Sequence, residues 1–207
     1  MNYIYLLSIP LAYLIGSMSS AYIVARFNGK IDIRDEPDGK ISAAAVYRRV
    51  GLLSFLMVVF MDIGKSALAV LIAQWMQAPP EVVLAAGVAA VAGHQWSIFL
   101  RFQGGLGATT IAGALVATVT IPTLIGAGVA AMMAWRTRRT STSFGVGMVV
   151  IAVVLFGMQF SKITPLPICL VYPPTPLLIA YPILLGLMMV CKALQIKFRP
   201  GAPIKVK

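Results

Sequence analysis

The stretch Gly93-His94-Gln95-Trp96-Ser97-Ile98-Phe99-Leu100-Arg101-Phe102-Gln103-Gly104-Gly105-Leu106-Gly107 concentrates the chemistry open to this chain. It holds the sole histidine, an arginine and three glycines within four positions. Gly104, Gly105 and Gly107 have no Cβ, so their backbone N–H groups can approach an anion closely. The run Gly107-Ala108-Thr109-Thr110-Ile111 reads as the start of a helix, whose unpaired N–H groups and dipole favour a phosphate or carboxylate. The same glycines also suit a plain tight turn between packed helices, and glycines alone do not decide between the two. An isolated histidine is more often a buried hydrogen-bonded residue than a catalyst. Its place just before the glycine turn makes His94 the candidate catalytic group, with Arg101 and the three glycines as candidate anion ligands.

Other charged residues fall into three groups. Asp62 and Lys65 lie three residues apart in an apolar stretch, so they share a helix face and read as a structural ion pair. Arg138 and Arg139 precede Thr140-Ser141-Thr142-Ser143, where guanidinium and hydroxyl groups could hold an anion or simply cap a helix. The segment 26–50 carries Arg26, Lys30, Arg34, Lys40, Arg48 and Arg49. Cys169 and Cys191 have no metal or redox spacing and read as free thiols. No metal and no cofactor is expected.

The elements that must position these residues are membrane helices. Of the 207 residues 59% are hydrophobic, and the mean hydropathy is +0.90, which defines an integral membrane protein. Seventeen Lys and Arg against six Asp and Glu give a net charge of +11. In a membrane protein this charge meets anionic lipid and does not call for nucleic acid. Apolar spans are expected over 3–25, 51–76, 82–100, 143–160 and 176–195, with the first retained rather than cleaved. The segment 108–135 could be one helix or two. If it turns near Thr120-Ile121-Pro122, fifteen basic residues share one side of the membrane and only Lys162 lies opposite. The charge-orientation rule prefers that arrangement. Each half would span only about 21 Å at about 1.5 Å per residue, so it is a short or re-entrant helix. The expectation is an all-α integral membrane protein of about seven transmembrane or re-entrant helices, N-terminus out and C-terminus in. It forms a single polytopic domain over 1–207, with a basic cytoplasmic tail over 196–207.

Four patches, in order, resemble the bacterial membrane acyl-phosphate:glycerol-3-phosphate acyltransferases, the PlsY family. The first loop of that family reads roughly D-I-R-x-x-G-S-G-N-x-G-A-T-N-V-x-R, against Asp32-Ile33-Arg34 through Arg48 here. The second reads G-H-x-x-P-x-F-x-x-F-K-G-G-K-G-V-A-T, with His94, Phe99, Phe102, Gly104, Gly105, Gly107 and Thr110 in register. A third, R-Y-x-S-x-S-S, is matched by Arg138, Ser141 and Ser143. The patch Ile15 to Ala21 and the pair Asp62 and Lys65 are similar as well.

The resemblance implies a seven-helix enzyme of the bacterial inner membrane. It moves an acyl chain from an acyl phosphate to glycerol 3-phosphate, giving lysophosphatidic acid for phospholipid synthesis. It implies membrane lipid, acyl phosphate and glycerol 3-phosphate as partners. Beside His94 it points to Arg34, Gly39, Lys40, Arg48, Arg101, Gly104, Gly105, Gly107, Arg138, Ser141 and Ser143 as substrate-binding positions.

Departures from the family pattern fall on polar loop positions. Its first-loop Ser and Asn stand as Asp38 and Lys40, and its Thr and second Asn as Ala44 and Ala45. The two lysines of the second loop stand as Gln103 and Leu106, and the proline as Ser97. Several hydrogen bonds lost around two dianions would cost on the order of 5 kcal/mol. These departures leave a second reading beside the enzyme: a non-catalytic relative serving as a structural subunit among other membrane proteins in a complex. A transporter or channel fits less well, because few ionisable groups lie at mid-membrane depth.

Overall fold

A computed structural model describes residues 3–35, 41–138, 140–160 and 175–198 of the chain. Gly39 and Lys40 lie outside the described residues, as do Cys169, the segment Lys162 to Pro174 and the tail beyond Phe198. Ser141 is described by its backbone alone.

Every regular element among the described residues is helical. A 3₁₀ turn, Tyr3–Leu7, leads into α1 (Ser8–Ser17) and then α2 (Ser20–Asn28). The break between them has a local cause. Met18 is extended, with φ −65° and ψ 113°, and the Ser19 hydroxyl caps α2 by accepting from Tyr22 N at 3.3 Å. That cap replaces the bond Met18 O would have accepted in a continuous helix, so this carbonyl is available to another group.

The segment to α4 holds a 3₁₀ turn, Ile33–Asp35, and α3 (Ala43–Arg49), capped by Ser42. Gly51, at φ 116°, opens α4 (Leu52–Trp75). After a tight turn, α5 (Pro80–Gln95) starts on a proline at its first position, where the missing N–H costs nothing. Then follow α6 (Ala108–Thr118), α7 (Thr120–Thr137), α8 (Thr140–Phe160) and α9 (Pro176–Lys197). Five segments are long and apolar enough to cross a membrane: Tyr3–Asn28, Leu52–Trp75, Pro80–Leu100, Thr142–Gln159 and Pro176–Lys197.

The ambiguous middle segment does turn. Val119, at φ −138° and ψ 65°, separates α6 from α7. Pro122 sits in the first turn of α7, where its lack of an N–H is harmless. The two helices then run back along each other. One apolar cavity is lined both by Ala108 and Thr109 with Ala130 near one end and by Leu115 with Thr123 near the other. Next, α8 reverses again: a Cβ on Gly126 would meet Ile151, and one on Gly147 would meet Ala130.

This hairpin places the end of α7, with Arg138, at the same end of the bundle as the start of α6. The end of α9 is there too, since Trp96 Nε1 donates to Gln195 Oε1 at 3.0 Å. The described parts of this basic segment, 26–35 and 41–50, therefore gather with the glycine turn and Arg138 at one basic end.

Buried apolar residues form two clusters. The larger joins α1, α4, α5, α6, α8 and α9 around Val70, Val91, Ile111, Leu115 and Leu185. The smaller, at the basic end, joins α2, α3 and α4 with Ile33, Ile41 and Leu100. Large side chains such as Phe60, Trp75 and Trp135 face outward, as expected of surfaces solvated by lipid.

Candidate functional site

The centre of the basic end is a buried polar cluster assembled from three helices and the break between α1 and α2. Lys65 Nζ of α4 lies 2.8 Å from Asp62 Oδ1, 2.7 Å from Met18 O and 3.0 Å from His94 Nδ1. Thr109 of α6 donates its hydroxyl to Asp62 Oδ2 at 3.0 Å. The side chains of Asp62, Lys65 and His94 are 4%, 10% and 11% exposed. Charges at such depth persist only when paired and hydrogen-bonded. The carbonyl freed by the break between α1 and α2 is one of the groups that meets this need.

The geometry also fixes the histidine tautomer. An ammonium can only donate, so His94 Nδ1 accepts from Lys65 at 3.0 Å. The competing contact, Nδ1 to Asp62 Oδ1, is longer at 3.5 Å. The ring proton is therefore assigned to Nε2 from these partners. Nε2 lies against the glycine turn: a Cβ added to Gly105 would sit 2.6 Å from it.

The turn itself wraps the histidine. A Cβ on Gly104 would lie 2.0 Å from His94 O, and one on Gly105 2.9 Å from Ile41 O. Ile41 brings the segment before α3 over the turn. Gly107, at φ 85°, is left-handed and opens α6, whose first N–H groups have no side-chain cap. Gln95, fully buried, donates its amide to Leu106 O at 2.9 Å and pins the turn. Arg101 and Phe102 are both left-handed, at φ 52° and 62°, a strain of about 1–3 kcal/mol for each such residue. Bonds from Phe102 N to Ser97 O at 2.7 Å and from Gln103 N to Leu100 O at 3.0 Å hold this bend.

The structure thus brings His94, Asp62, Lys65, Gly104, Gly105 and Gly107 into one site, with Arg101 exposed at its edge. The pair read as merely structural is in direct contact with the histidine. Arg34 lies farther out. Its guanidinium grips Asp32 with Nε to Oδ1 at 2.9 Å and Nη2 to Oδ2 at 2.5 Å, and it stacks over the Tyr22 ring at 5.2 Å. The hydrogen bonds from Arg34 hold the Asp32 carboxyl down at about 2. Arg48 and Arg138 are exposed at the same end, and Ser143 is buried.

Sequence reasoning missed Gln95, Thr109 and Ser97, whose hydroxyl donates to Ser17 O at 2.5 Å. It also gave no role to Lys192, which the structure buries at 4% exposure. A charge inside the last apolar span was the available signal. Cys191 is a free, exposed thiol.

One expectation follows from the fit of the turn. Gly105→Ala must push either the imidazole or Ile41 by several tenths of an ångström. It is expected to cost about 1–3 kcal/mol and to shift the ¹⁵N resonances of the only histidine. Thermal unfolding in micelles and a ¹⁵N-histidine spectrum check both. An unchanged spectrum would mean that the turn does not enclose the ring.

Fold and site together define a polytopic helical membrane protein with a backbone-lined, cationic site at one end. The family described as glycerol-3-phosphate acyltransferase matches residues 6–197. Glycerol-3-phosphate acyltransferase 2 of Moorella thermoacetica is 46% identical over 113 residues, covering 55% of this chain and 58% of the relative. Glycerol-3-phosphate acyltransferase 4 of Dehalococcoides mccartyi (strain ATCC BAA-2266) is 34% identical over 155 residues, covering 74% of this chain and 84% of the relative. The chain spans little more than half the length of several other such relatives, 54% for that of D. mccartyi strain CBDB1. The crystal structure of PlsY, an integral membrane glycerol 3-phosphate acyltransferase, in its glycerol 3-phosphate form superposes with a TM-score of 0.76. It is 24% identical, and the match covers 92% of this chain and 88% of that one. The lysophosphatidic acid form superposes with a TM-score of 0.71 at 23% identity.

The chain belongs to the glycerol-3-phosphate acyltransferase family. It has the PlsY fold.

Proposed function

We propose that the chain transfers an acyl group from an acyl phosphate to the 1-hydroxyl of glycerol 3-phosphate, releasing lysophosphatidic acid and inorganic phosphate. The hydroxyl oxygen bonds to the acyl carbon and the bond from that carbon to the phosphate oxygen breaks. The hydroxyl proton leaves with the phosphate. Such a reaction asks for donors around phosphate and a developing oxyanion rather than for a protein nucleophile.

The observation that carries this reading is the His94 ring enclosed by the glycine turn. Lys65 occupies Nδ1, so Nε2–H is a donor and cannot serve as a base. We assign it to an oxygen of the phosphate or of the tetrahedral intermediate. The N–H groups at the start of α6 assist it, and Arg101 supplies charge at the edge. Arg48, Arg138 and Ser143 complete the cationic rim. Gly39, Lys40 and Ser141 are further proposed substrate-binding positions. Arg34, held by Asp32, orders the first loop. An apolar cavity of about 270 Å³ between α6, α7 and α8 runs from Ala108 and Thr109 toward Ile151. It can take part of an acyl chain from the bilayer. The basic end faces the cytoplasm of a bacterial inner membrane under the charge-orientation rule.

The test is purified protein in micelles with palmitoyl phosphate and glycerol 3-phosphate, scored for lysophosphatidic acid and released phosphate. His94→Ala is expected to lower turnover by about 10²–10³-fold, the usual effect of removing one such donor. Absence of turnover in the unaltered chain rejects acyl transfer. Turnover that survives His94→Ala rejects the role given to the ring.

A further inference from the structure

At the end of the bundle opposite the glycine turn, a groove of about 460 Å³ runs between α5 and α9. Its α5 wall descends from Glu81 through Ala85 to Ala89 along one helix face. Leu177, Ala180 and Leu184 of α9 line the other side. Two features keep it open. Tyr181, only 2% exposed, is a wedge between the helices: Gly87 has no Cβ, and one placed there would collide with the Tyr181 hydroxyl. Beside that contact the facing alanines are too short to fill the space between helix axes about 8–10 Å apart. Leu177 and Leu184 are each 48% exposed, so the groove opens sideways to the bilayer.

Among the residues that line it, Glu81 alone is charged. It stands at the mouth, in the first turn of α5. Its carboxylate is exposed and has no ion pair among the described residues. It is also the only charged side chain described at that end of the bundle. A helix dipole welcomes a carboxylate in a first turn, but it does not call for an open apolar groove beneath it.

Shape and charge select the occupant. The eight residues from Glu81 to Ala89 rise about 12 Å at about 1.5 Å each, room for part of one acyl chain. A neighbouring helix, about 10–12 Å across with its side chains, is too wide to enter where α5 and α9 meet at Gly87 and Tyr181. An anion at the mouth calls for a cation above the chain. A primary ammonium donates to a carboxylate, and such charge-assisted bonds are the strong ones. A quaternary ammonium has no N–H to donate, and a phosphatidylglycerol headgroup brings only negative charge.

We propose that this groove binds an amine-headed phospholipid of the leaflet opposite the basic end, with one acyl chain along α5 and α9 and its ammonium paired with Glu81. The site is remote from His94 and does not depend on the proposed acyl transfer.

The test uses the full chain, delipidated in micelles and titrated with dioleoyl phosphatidylethanolamine, phosphatidylcholine or phosphatidylglycerol, with bound lipid counted by native mass spectrometry. In parallel, phosphatidylethanolamine carrying a diazirine in one acyl chain is photolysed on the protein in nanodiscs, and the cross-linked peptides are sequenced. Saturable binding of phosphatidylethanolamine is expected, about three- to tenfold tighter than that of phosphatidylcholine, with cross-links on α5 and α9 around Ala85, Ala89 and Ala180. Glu81→Gln keeps the shape and removes the charge. It should bring the two lipids to equal affinity and leave the cross-links in place. Ala85→Leu and Ala180→Leu fill the groove and should abolish the cross-links, with thermal unfolding in micelles showing that the fold is intact. Glu81→Gln, at an exposed position, decides the matter should those variants not fold.

Equal affinity for phosphatidylethanolamine and phosphatidylcholine in the unaltered chain overturns the proposal, as does a preference that survives Glu81→Gln. Cross-links confined to other helices place the lipid elsewhere and overturn it too. So does a dimer in the mass spectrum that takes up no lipid and that Ala85→Leu dissociates, which would make a second copy of the chain the occupant. A preference that emerges only in Lys162→Gln would give Glu81 to that lysine rather than to a lipid, with the same consequence.

Discussion

Lys65→Met is expected to destabilise the folded chain by about 3–5 kcal/mol, the usual cost of stripping the partner from a buried charge. The substitution keeps the length of the side chain, so the loss is one of charge and donors rather than of volume. It leaves the Asp62 carboxylate, 4% exposed, with the Thr109 hydroxyl at 3.0 Å as its remaining donor. It also removes the donor that lies 2.7 Å from Met18 O and the one that fixes His94 Nδ1. The ring should then populate both tautomers, which a ¹⁵N-histidine spectrum reads without ambiguity because His94 is the only histidine. The second variant Asp62→Asn/Lys65→Met should recover a large part of the stability, since an amide carries no charge and can still accept from Thr109. It should not recover the single tautomer or the turnover. A single variant as stable as the unaltered chain, with an unchanged spectrum, would show that Lys65 is not the partner of the ring.

Much of this arrangement was legible in the residues, for reasons that can be stated. The reversal between α6 and α7 follows from Pro122 and from the imbalance of basic residues, both visible in the chain. The His94 and glycine pattern marks itself, because three glycines after a sole histidine imply close backbone approach. What could not be read were contacts that depend on a local break or on distant partners. In the patch Gly16-Ser17-Met18-Ser19-Ser20 the small Gly16 packs against the backbone of α5. Its serines also end one helix and start the next, and this exposes the carbonyl that Lys65 needs. Spacing showed that Asp62 and Lys65 share a face, but not that His94, 29 residues on, meets them. Asp32 and Arg34 stand two residues apart, and their grip was not read from that proximity. Lys192 falls within the expected span 176–195, and only the fold reveals that it packs over Trp96.

Gly93→Ala should be among the most damaging glycine substitutions for activity, through the fold rather than the chemistry. A Cβ there would lie 2.2 Å from Tyr13 O and 2.8 Å from Ser17 N, and one on Gly16 2.0 Å from Ala90 O. Both glycines mark a crossing at which α1 and α5 touch backbone to backbone, the contact that small residues permit in membranes. The two shortest of these distances fall more than 1 Å below the 3.4 Å of ordinary contact, and backbone cannot yield as a side-chain tip can. Opening the crossing would loosen the bond from Tyr13 Oη to Trp96 O at 2.7 Å and that from Ser97 Oγ to Ser17 O at 2.5 Å. It would also move Met18 O, which Lys65 uses, away from the helix that carries His94. A stability loss of about 3 kcal/mol, at the upper end of typical overpacking, is expected together with loss of turnover. Gly16→Ala should behave alike, and the two together should cost less than their sum, because one separation relieves both clashes. Gly64, Gly128, Gly145 and Gly157 are helical with open space where a Cβ would go. Alanine at those sites should be neutral or stabilise by up to about 1 kcal/mol. Thermal unfolding of the six single variants in micelles decides the matter: equal behaviour of Gly93→Ala and Gly64→Ala would mean that α1 and α5 do not meet at their backbones, and that the shelf beneath His94 is held by something else.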